Sequence, residues 1–328
     1  VAESVLKQIT IRNGLTAPAA HKNQSDIAEE AHITEVALLG SDYRNIRPTL
    51  EIAERSKVSV GQTLFRDRYN DEICFVSPIA GTVKAIERGA RRTISRIIVS
   101  KVSKAKSPEA SSVATPSKNR ASIRDAMLAS GLWPAFVTRP FGDLARTTII
   151  PDAIFINAAR RTPDAPDPIA IIEHEQEAFD LGLDSLTFLC DGSAHVCQSS
   201  AKPLTQLKNP RVQFAQFSGT YSAGLSGTHI SNLASNDEKT VWCINYQDVI
   251  ALGQLVGSGR VPQTRTISIS GRQADRRSLV RVPLGSSLRE LVSGRFSGRA
   301  GVRNSTVLSG DRITGRPATY LCHLYTSD

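Results

Sequence analysis

The segment Tyr221-Ser222-Ala223-Gly224-Leu225-Ser226-Gly227-Thr228-His229 concentrates the residue types best able to meet a ligand. Glycines let a backbone approach a flat or anionic group and leave amides pointing outward. The spacing Gly224-x-x-Gly227 matches neither the dinucleotide fingerprint nor a phosphate loop ending in Gly-Lys-Ser/Thr. A ligand loop and a tight turn both fit it, and the turn is the simpler reading. His229 has the pKa to hand a proton to a bound ligand near neutral pH. A histidine satisfied by backbone groups is again the simpler reading.

Other reactive side chains are scattered. The five cysteines are Cys74, Cys190, Cys197, Cys243 and Cys322. An odd, dispersed set suits reduced thiols in a cytosol-like compartment. No Cys-x-x-Cys pair is present, which argues against a zinc ribbon and a ferredoxin-type cluster, since both need closely spaced thiolates. Cys190 and Cys197 stand closest together, and without a histidine at ligand spacing they read as inert thiols. Ser226 and Ser309 lie near glycines, yet no Gly-x-Ser-x-Gly elbow occurs, so a serine hydrolase is disfavoured. Glu173, His174, Glu175 and Glu177 fall on successive positions of an expected helix and so spread around its axis as a solvated face.

Charge is unevenly placed. Lys84 to Arg124 holds 11 basic and 2 acidic residues, and Arg260 to Arg316 holds 12 and 3. Asp125 to Gly259 between them holds 8 basic and 14 acidic residues. An acidic middle domain thus lies between basic flanks. A basic surface can face nucleic acid, anionic lipid or an acidic protein. Phe296 is the sole aromatic residue in either block, so the stacking platform of a single-strand binder is missing and nucleic acid is not expected as a partner. No window approaches 18 uninterrupted apolar residues, so any membrane association is expected to be peripheral. Val1 to Thr10 lack the basic start and apolar run of a signal peptide. A chain starting at Val leaves a processed or trimmed end open.

At 328 residues, two or three domains are expected. The first hundred residues read as short strands. Val58, Val60, Leu64 and then Ile73, Phe75, Val76 alternate around Gly61 and the polar run Arg66 to Glu72, which predicts a hairpin. Gly61 to Phe65 (GQTLF) and Ser77 to Val83 (SPIAGTV) have the strand-turn-strand grammar of the biotinyl/lipoyl-like barrel-sandwich module. Carrier versions expose a lysine at the hairpin tip. Here the tip is Asp67-Arg68-Tyr69-Asn70-Asp71, and an arginine cannot replace the acylated amine because its guanidinium stays protonated. The module is therefore a structural or docking element.

Ser103 to Asn119 is too poor in large apolar residues to fold by itself. A short helix is expected over Ile123 to Ala129, stopped near Gly131. From Asp152 strands alternate with helices. Ala153 to Asn157 is a buried-strand run, Ile169 to Phe179 an amphipathic helix started by Asp167-Pro168, Val212 to Phe217 and Thr240 to Ile244 are strands, and Tyr246 to Leu255 is a helix closed by Gly257. This pattern implies a largely parallel, layered sheet. Arg265 to Ser309 returns to short strands with one helix, Ser287 to Val292.

Several strings resemble one family. Thr34 to Gly40 (TEVALLG), Arg47-Pro48-Thr49, the GQTLF and SPIAGTV pair, Arg88-Gly89-Ala90-Arg91-Arg92, Ser130 to Trp133 and Thr138 to Phe141 look like the A subunit of sodium-translocating NADH:quinone oxidoreductases. So do Ala223 to Ile230 (AGLSGTHI), Lys239 to Leu255, Leu279 to Val292 and Thr306 to Gly310. That family in turn resembles the FMN- and NADH-binding subunit of respiratory complex I.

The resemblance implies a multidomain α/β chain. A barrel-sandwich β module would cover residues 1–102, a linker 103–121, a Rossmann-like α/β domain 122–259 and a ubiquitin-like (SLBB-like) β-grasp domain 260–328. It implies a peripheral subunit binding no cofactor itself, which supports ubiquinone reduction at the membrane-embedded B subunit. FMN, FAD, riboflavin and iron–sulfur centres would belong to partner subunits. Tyr221, Gly224, Gly227, Thr228 and His229 become quinone-proximal candidates, with no catalytic or metal-binding residue expected. Such a chain would lie on the cytoplasmic face of a bacterial inner membrane, or on the matrix face of the mitochondrial inner membrane in an organellar descendant.

The family's chains usually continue past the equivalent of Asp328, and Val1 to His32 departs from their usual opening. An accessory role in another respiratory or organellar membrane complex is the alternative from the structural class. An NADH-dependent flavoenzyme is the alternative from the catalytic class.

Overall fold

The structure, a computed structural model, describes residues 6–16, 27–28, 31–43, 45–90, 93–101, 111–159, 162, 165–235, 239–271, 274, 278–293, 295, 306–311 and 313–317. Cys322, Arg91, Arg92, Val102 and residues 103–110 of the expected linker lie outside the described residues. The chain folds as two compact units, one of residues 1–21 and 113–260, the other of residues 22–112 and 261–327.

Strand β1 (Lys7–Ile11) opens the chain and belongs to the first unit. The second unit follows with β2 (Ile27–Ala28), β3 (Glu35–Leu39), β4 (Pro48–Leu50), β5 (Lys57–Val58), β6 (Thr63–Asp67), β7 (Asn70–Val76), β8 (Gly81–Arg88) and β9 (Ile94–Lys101). Strands β3-β9-β8-β5 form one antiparallel sheet and β4-β6-β7 another. This is the barrel-sandwich. Its apolar positions bury Val36, Val58, Leu64, Val83, Ile97 and Val99 completely. Phe65 stacks on Phe75 at 4.4 Å between ring centres, and Tyr43 meets Phe75 edge-on at 4.4 Å. Such ring pairs are worth about 0.5–1.5 kcal/mol each beyond the area they bury.

The α/β unit adds α1 (Arg120–Ala129), β10 (Val137–Thr138), β11 (Ala153–Ala158), α2 (Pro168–His174), α3 (Gln176–Leu189), β12 (Ala194–Gln198), β13 (Val212–Gly219), α4 (Ser226–Leu233), β14 (Val241–Asn245) and α5 (Tyr246–Ser258). One six-stranded sheet runs in the order β1-β13-β12-β11-β14-β10 and is parallel except at β10. Strand β11 is buried along its whole length, as a strand covered on both faces must be. One face carries Phe155, Cys197, Phe217 and Cys243, with Ile230 and Leu233 of α4 packed on it. The alternate residues Ile154, Ile156 and Val196 are equally buried on the face that α3 and α5 cover.

Helices α3 and α5 meet backbone to backbone. A Cβ added at Gly182 would fall 2.0 Å from the Val249 carbonyl oxygen, and one at Gly253 1.7 Å from that of Ala178. Only glycine permits the approach.

Local chemistry sets the helix ends. Asn119 accepts from Ser122 N at 2.9 Å, which starts α1 at Arg120, three residues before the expected Ile123. Asp167 caps α2 through Ile169 N at 3.0 Å, with Pro168 in the first position. The single helix expected over Ile169 to Phe179 is two, broken at Glu175 (φ −128°, ψ 31°). Asn245 caps α5 through Gln247 N, and the helix runs past Gly257 to end at Gly259, whose φ of 66° is the left-handed closing conformation.

The last described elements are β15 (Thr264–Ile269), β16 (Ser278–Pro283), α6 (Leu288–Val292), β17 (Leu308–Ser309) and β18 (Arg316–Pro317). β15 and β16 form an antiparallel hairpin, with β2 parallel to β16. The hairpin and α6 lie in the segment expected to form a β-grasp. They do not stand apart from the N-terminal module. Ala37 N donates to Gly285 O at 2.8 Å, Ser287 N to Glu35 O at 3.0 Å, and Glu290 receives Thr34 N at 2.8 Å.

The grouping of segments differs in two ways from a separate 1–102 module and a separate 260–328 domain. β1 is in the α/β sheet, paired with β13 from Lys7↔Ala215 to Ile11↔Gly219. Residues from 261 pack with the barrel-sandwich as one unit.

Candidate functional site at the carboxyl ends of the parallel strands

In an open α/β sheet, ligands bind outside the carboxyl ends of the strands where the strand order reverses. Here the chain proceeds from β11 to β12 and β13 on one side, then crosses to β14 on the other. The reversal lies between β11 and β14. Asn157 and Asn245 are register partners at that end.

Both asparagines are occupied. Asn245 caps α5. Asn157, buried, donates through Nδ2 to the Gly224 carbonyl at 3.0 Å and to Ser226 Oγ at 3.2 Å, while its Oδ1 accepts from Ala159 N at 3.2 Å. These bonds fasten the turn after β13 onto the end of β11. The sequence that follows β11, Ala159-Arg160-Arg161-Thr162, contains no glycine. A dinucleotide fingerprint needs glycine there for the tight turn and for close approach to a pyrophosphate.

The five candidate residues divide into two groups. Residues Tyr221–Gly224 form a single 3₁₀ turn, and Ser226 opens α4. Tyr221 is buried, with its amide donating to Leu15 O at 2.8 Å. Gly224 is buried and bound by Asn157. His229 is fully buried, its Nε2 lies 2.8 Å from Ala223 O, and its ring tilts against Phe217 at 4.3 Å. These three serve the packing of the turn. Gly227 is exposed, with nothing within 4 Å of an added Cβ, and Thr228 is half-exposed. The structure does not gather all five on one accessible surface.

Cys243 lies beneath this turn in β14. Burial pushes its thiol up, while the nearby Arg139 guanidinium and hydrogen bonds with Arg139 and Ser226 pull it partly back. Burial drives the Cys197 thiol well above the ordinary range, with a smaller push from Cys243. Cys190 belongs to a different environment at the end of α3. Its thiol is raised by burial and lowered by Arg211 and Arg120, which bind the Cys190 carbonyl at 2.7 and 3.2 Å. Cys190 and Cys197 are therefore not a pair. Of the acidic cluster, Glu173, His174 and Glu177 are exposed, whereas Glu175 sits in the helix break and accepts from Gln254 Nε2 at 3.1 Å. Among the described residues no three His, Cys, Asp or Glu side chains form a metal-ligating group.

Sequence reasoning missed Asn157 and Ser226 as organisers of this end. A polar residue closing the apolar run Ala153 to Ile156 was the available signal for Asn157.

Comparison with known proteins supplies the lineage. Residues 9–102 match the NqrA N-terminal barrel-sandwich hybrid domain and residues 118–261 the NqrA second alpha/beta domain. The A subunit of the Na(+)-translocating NADH-quinone reductase of Saccharophagus degradans is 37% identical over 321 residues, covering 95% of this chain and 71% of that protein. Its counterpart from Klebsiella pneumoniae is 39% identical over 315 residues, covering 94% and 70%. Among solved structures, an air-oxidized NAD+-reducing NiFe-hydrogenase aligns over 61% of this chain and 43% of its own, with 15% identity and a TM-score of 0.44. The chain belongs to the NqrA family, the A subunits of the Na(+)-translocating NADH-quinone reductases.

Proposed function

We propose that the chain is a peripheral, cofactor-free subunit of a Na+-translocating NADH:quinone oxidoreductase that supports ubiquinone reduction at the membrane-embedded B subunit. The observation that carries this reading is Asn157, whose amide fills the switch point of the sheet by binding Gly224 and Ser226. With Asn157 bonded to Gly224 and Ser226 at the end of β11, and no glycine in the sequence that follows β11, this end of the sheet suits a nicotinamide or flavin dinucleotide poorly. The redox centres, FMN, FAD, riboflavin and iron–sulfur, then fall to partner subunits.

No described helix is long and apolar enough to cross a membrane, which agrees with attachment through partners. On this reading the chain sits on the cytoplasmic face. Gly227 and Thr228, the outward members of the turn, are the part of the Tyr221 to His229 segment left to approach a quinone or the subunit that binds it.

Affinity isolation of the tagged chain from its native membranes, followed by mass spectrometry, tests the assignment. Recovery of the B subunit and the other subunits of the pump in constant proportion is expected. Recovery of a different respiratory assembly in their place would refute it.

A further inference from the structure

Asn13-Gly14 is the single Asn-Gly pair in the sequence. It follows β1, where the chain leaves the edge of the α/β sheet and passes the turn after β13. The segment is fastened to that turn on both sides of the pair. Ile11 O accepts from Thr220 N at 3.1 Å, Asn13 O from Thr220 Oγ1 at 3.1 Å, and Leu15 O from Tyr221 N at 2.8 Å. Gly14 has φ +135°, and a Cβ placed on it would fall 2.8 Å from Ser222 Oγ and 2.9 Å from Thr220 Oγ1. Only glycine adopts such a backbone readily.

In each of these bonds the segment supplies a carbonyl. Asn13 and Gly14 are both exposed, and among the described residues neither the Asn13 side-chain amide nor the Gly14 N–H is hydrogen-bonded. Other asparagines differ. The side chains of Asn70, Asn119, Asn157, Asn209, Asn232 and Asn245 are all hydrogen-bonded, and none of them precedes glycine. The related pair Asp191-Gly192 is also held, because Arg120 binds Asp191 at 2.6 Å and Gly192 N donates to Asp152 O at 2.8 Å.

Attack of the following backbone nitrogen on an asparagine side-chain amide closes a five-membered ring, one reason asparagine counts among the thermolabile residues. A following glycine, with no Cβ, leaves that nitrogen most open to the approach. We propose that Asn13 is a site of spontaneous covalent modification, which deamidates through a cyclic imide to isoaspartate and aspartate. The Gly14 nitrogen gives its proton to base and bonds to Asn13 Cγ. The bond from Cγ to the side-chain nitrogen breaks, and that nitrogen takes up a proton and leaves as ammonia. Water then opens the imide at either carbonyl, so one water enters for each ammonia released and no oxidant is consumed. Opening at the main-chain carbonyl gives isoaspartate, which routes the backbone through Cβ and Cγ and lengthens it between the Ile11 and Leu15 anchors. The clasp on Thr220 and Tyr221 then loosens.

The test stores the full folded chain and its Asn13→Gln variant in mildly acidic and mildly alkaline buffer. Isoaspartate is then located by peptide mass spectrometry and by labelling with an isoaspartyl methyltransferase, against unstored samples of each. It should accumulate at Asn13 and not at Asp191, and faster in alkali because the Gly14 nitrogen must lose its proton. Asn13→Gln should block it, since the glutamine amide lies one carbon further from that nitrogen. Matching circular dichroism of the unstored proteins shows that the variant folds. Stored wild type should exchange the Thr220 and Tyr221 amide protons roughly tenfold faster than unstored, and the stored variant should not. A synthetic peptide of residues 11–16, stored alongside, gives the rate for the unfolded sequence. If the peptide converts while the folded chain keeps Asn13 intact, the clasp protects the pair and the proposal falls. It falls equally if isoaspartate forms at another position and not at Asn13. If Asn13 converts and exchange at Thr220 and Tyr221 is unchanged, the loosening of the turn is refuted.

Discussion

Asn157 Nδ2 donates to the carbonyl oxygen of Gly224 at 3.0 Å, joining the end of β11 to a turn 67 residues later in the chain. The same amide reaches Ser226 Oγ, so one side chain organises the end of the sheet where a ligand would otherwise enter. Asn157→Ala should lower unfolding free energy by about 1–3 kcal/mol, because it strands buried partners rather than merely deleting bonds. Asn157→Asp should cost at least as much, since a carboxylate has no proton to give Gly224. Urea midpoints at unchanged slope would measure both.

Gly253 and Gly227 make a matched pair of opposite sign. Gly253→Ala drives a methyl into the Ala178 carbonyl across the α3–α5 contact and should destabilise by about 1–3 kcal/mol or more. Gly227→Ala enters open space in the first turn of α4 and should be neutral, or stabilising by up to about 0.5 kcal/mol. Thermal melting of the two variants side by side checks the contrast.

Cys190, Cys197 and Cys243 all have thiols raised by burial above the ordinary value of 9.0. In the native state they keep their protons at a pH where the unfolded chain releases them. The unfolded state then binds fewer protons, so stability falls as pH rises. The contribution should be fully present below about pH 8 and decline from pH 9 upward. Urea midpoints at pH 8 and pH 10 should show that fall, and Cys197→Ala should lose part of it. Native thiols should also react slowly with alkylating reagents until urea exposes them.

Much of the fold was legible because local chemistry and tertiary context agree. The apolar run Ala153 to Ile156 with its flanking turns announces β11, and Asn245 followed by an apolar helical stretch announces α5. Where they disagree, the sequence misleads. Glu175 favours helix by propensity, yet the chain breaks there to turn α2 into α3, a decision made by packing. β12 contains His195, Cys197 and Gln198, polar enough to read as loop, and is buried only because strands lie on both sides of it. β1 pairs with β13 about two hundred residues away, and no local signal encodes such a partner. The site was harder still. The glycine-bearing turn was visible, but its closure depends on Asn157 from another strand, and His229 proves to be packing against Phe217.

The proposed function has at its centre that this NqrA-family chain holds no redox centre of its own. Flavin and iron content of the full folded chain, read from its visible absorption spectrum and elemental analysis after purification under anaerobic conditions, tests that claim directly. Protein absorption alone, with no flavin band and no iron, is the predicted result. A stoichiometric yellow flavin or an iron–sulfur signal that survives gel filtration would contradict it.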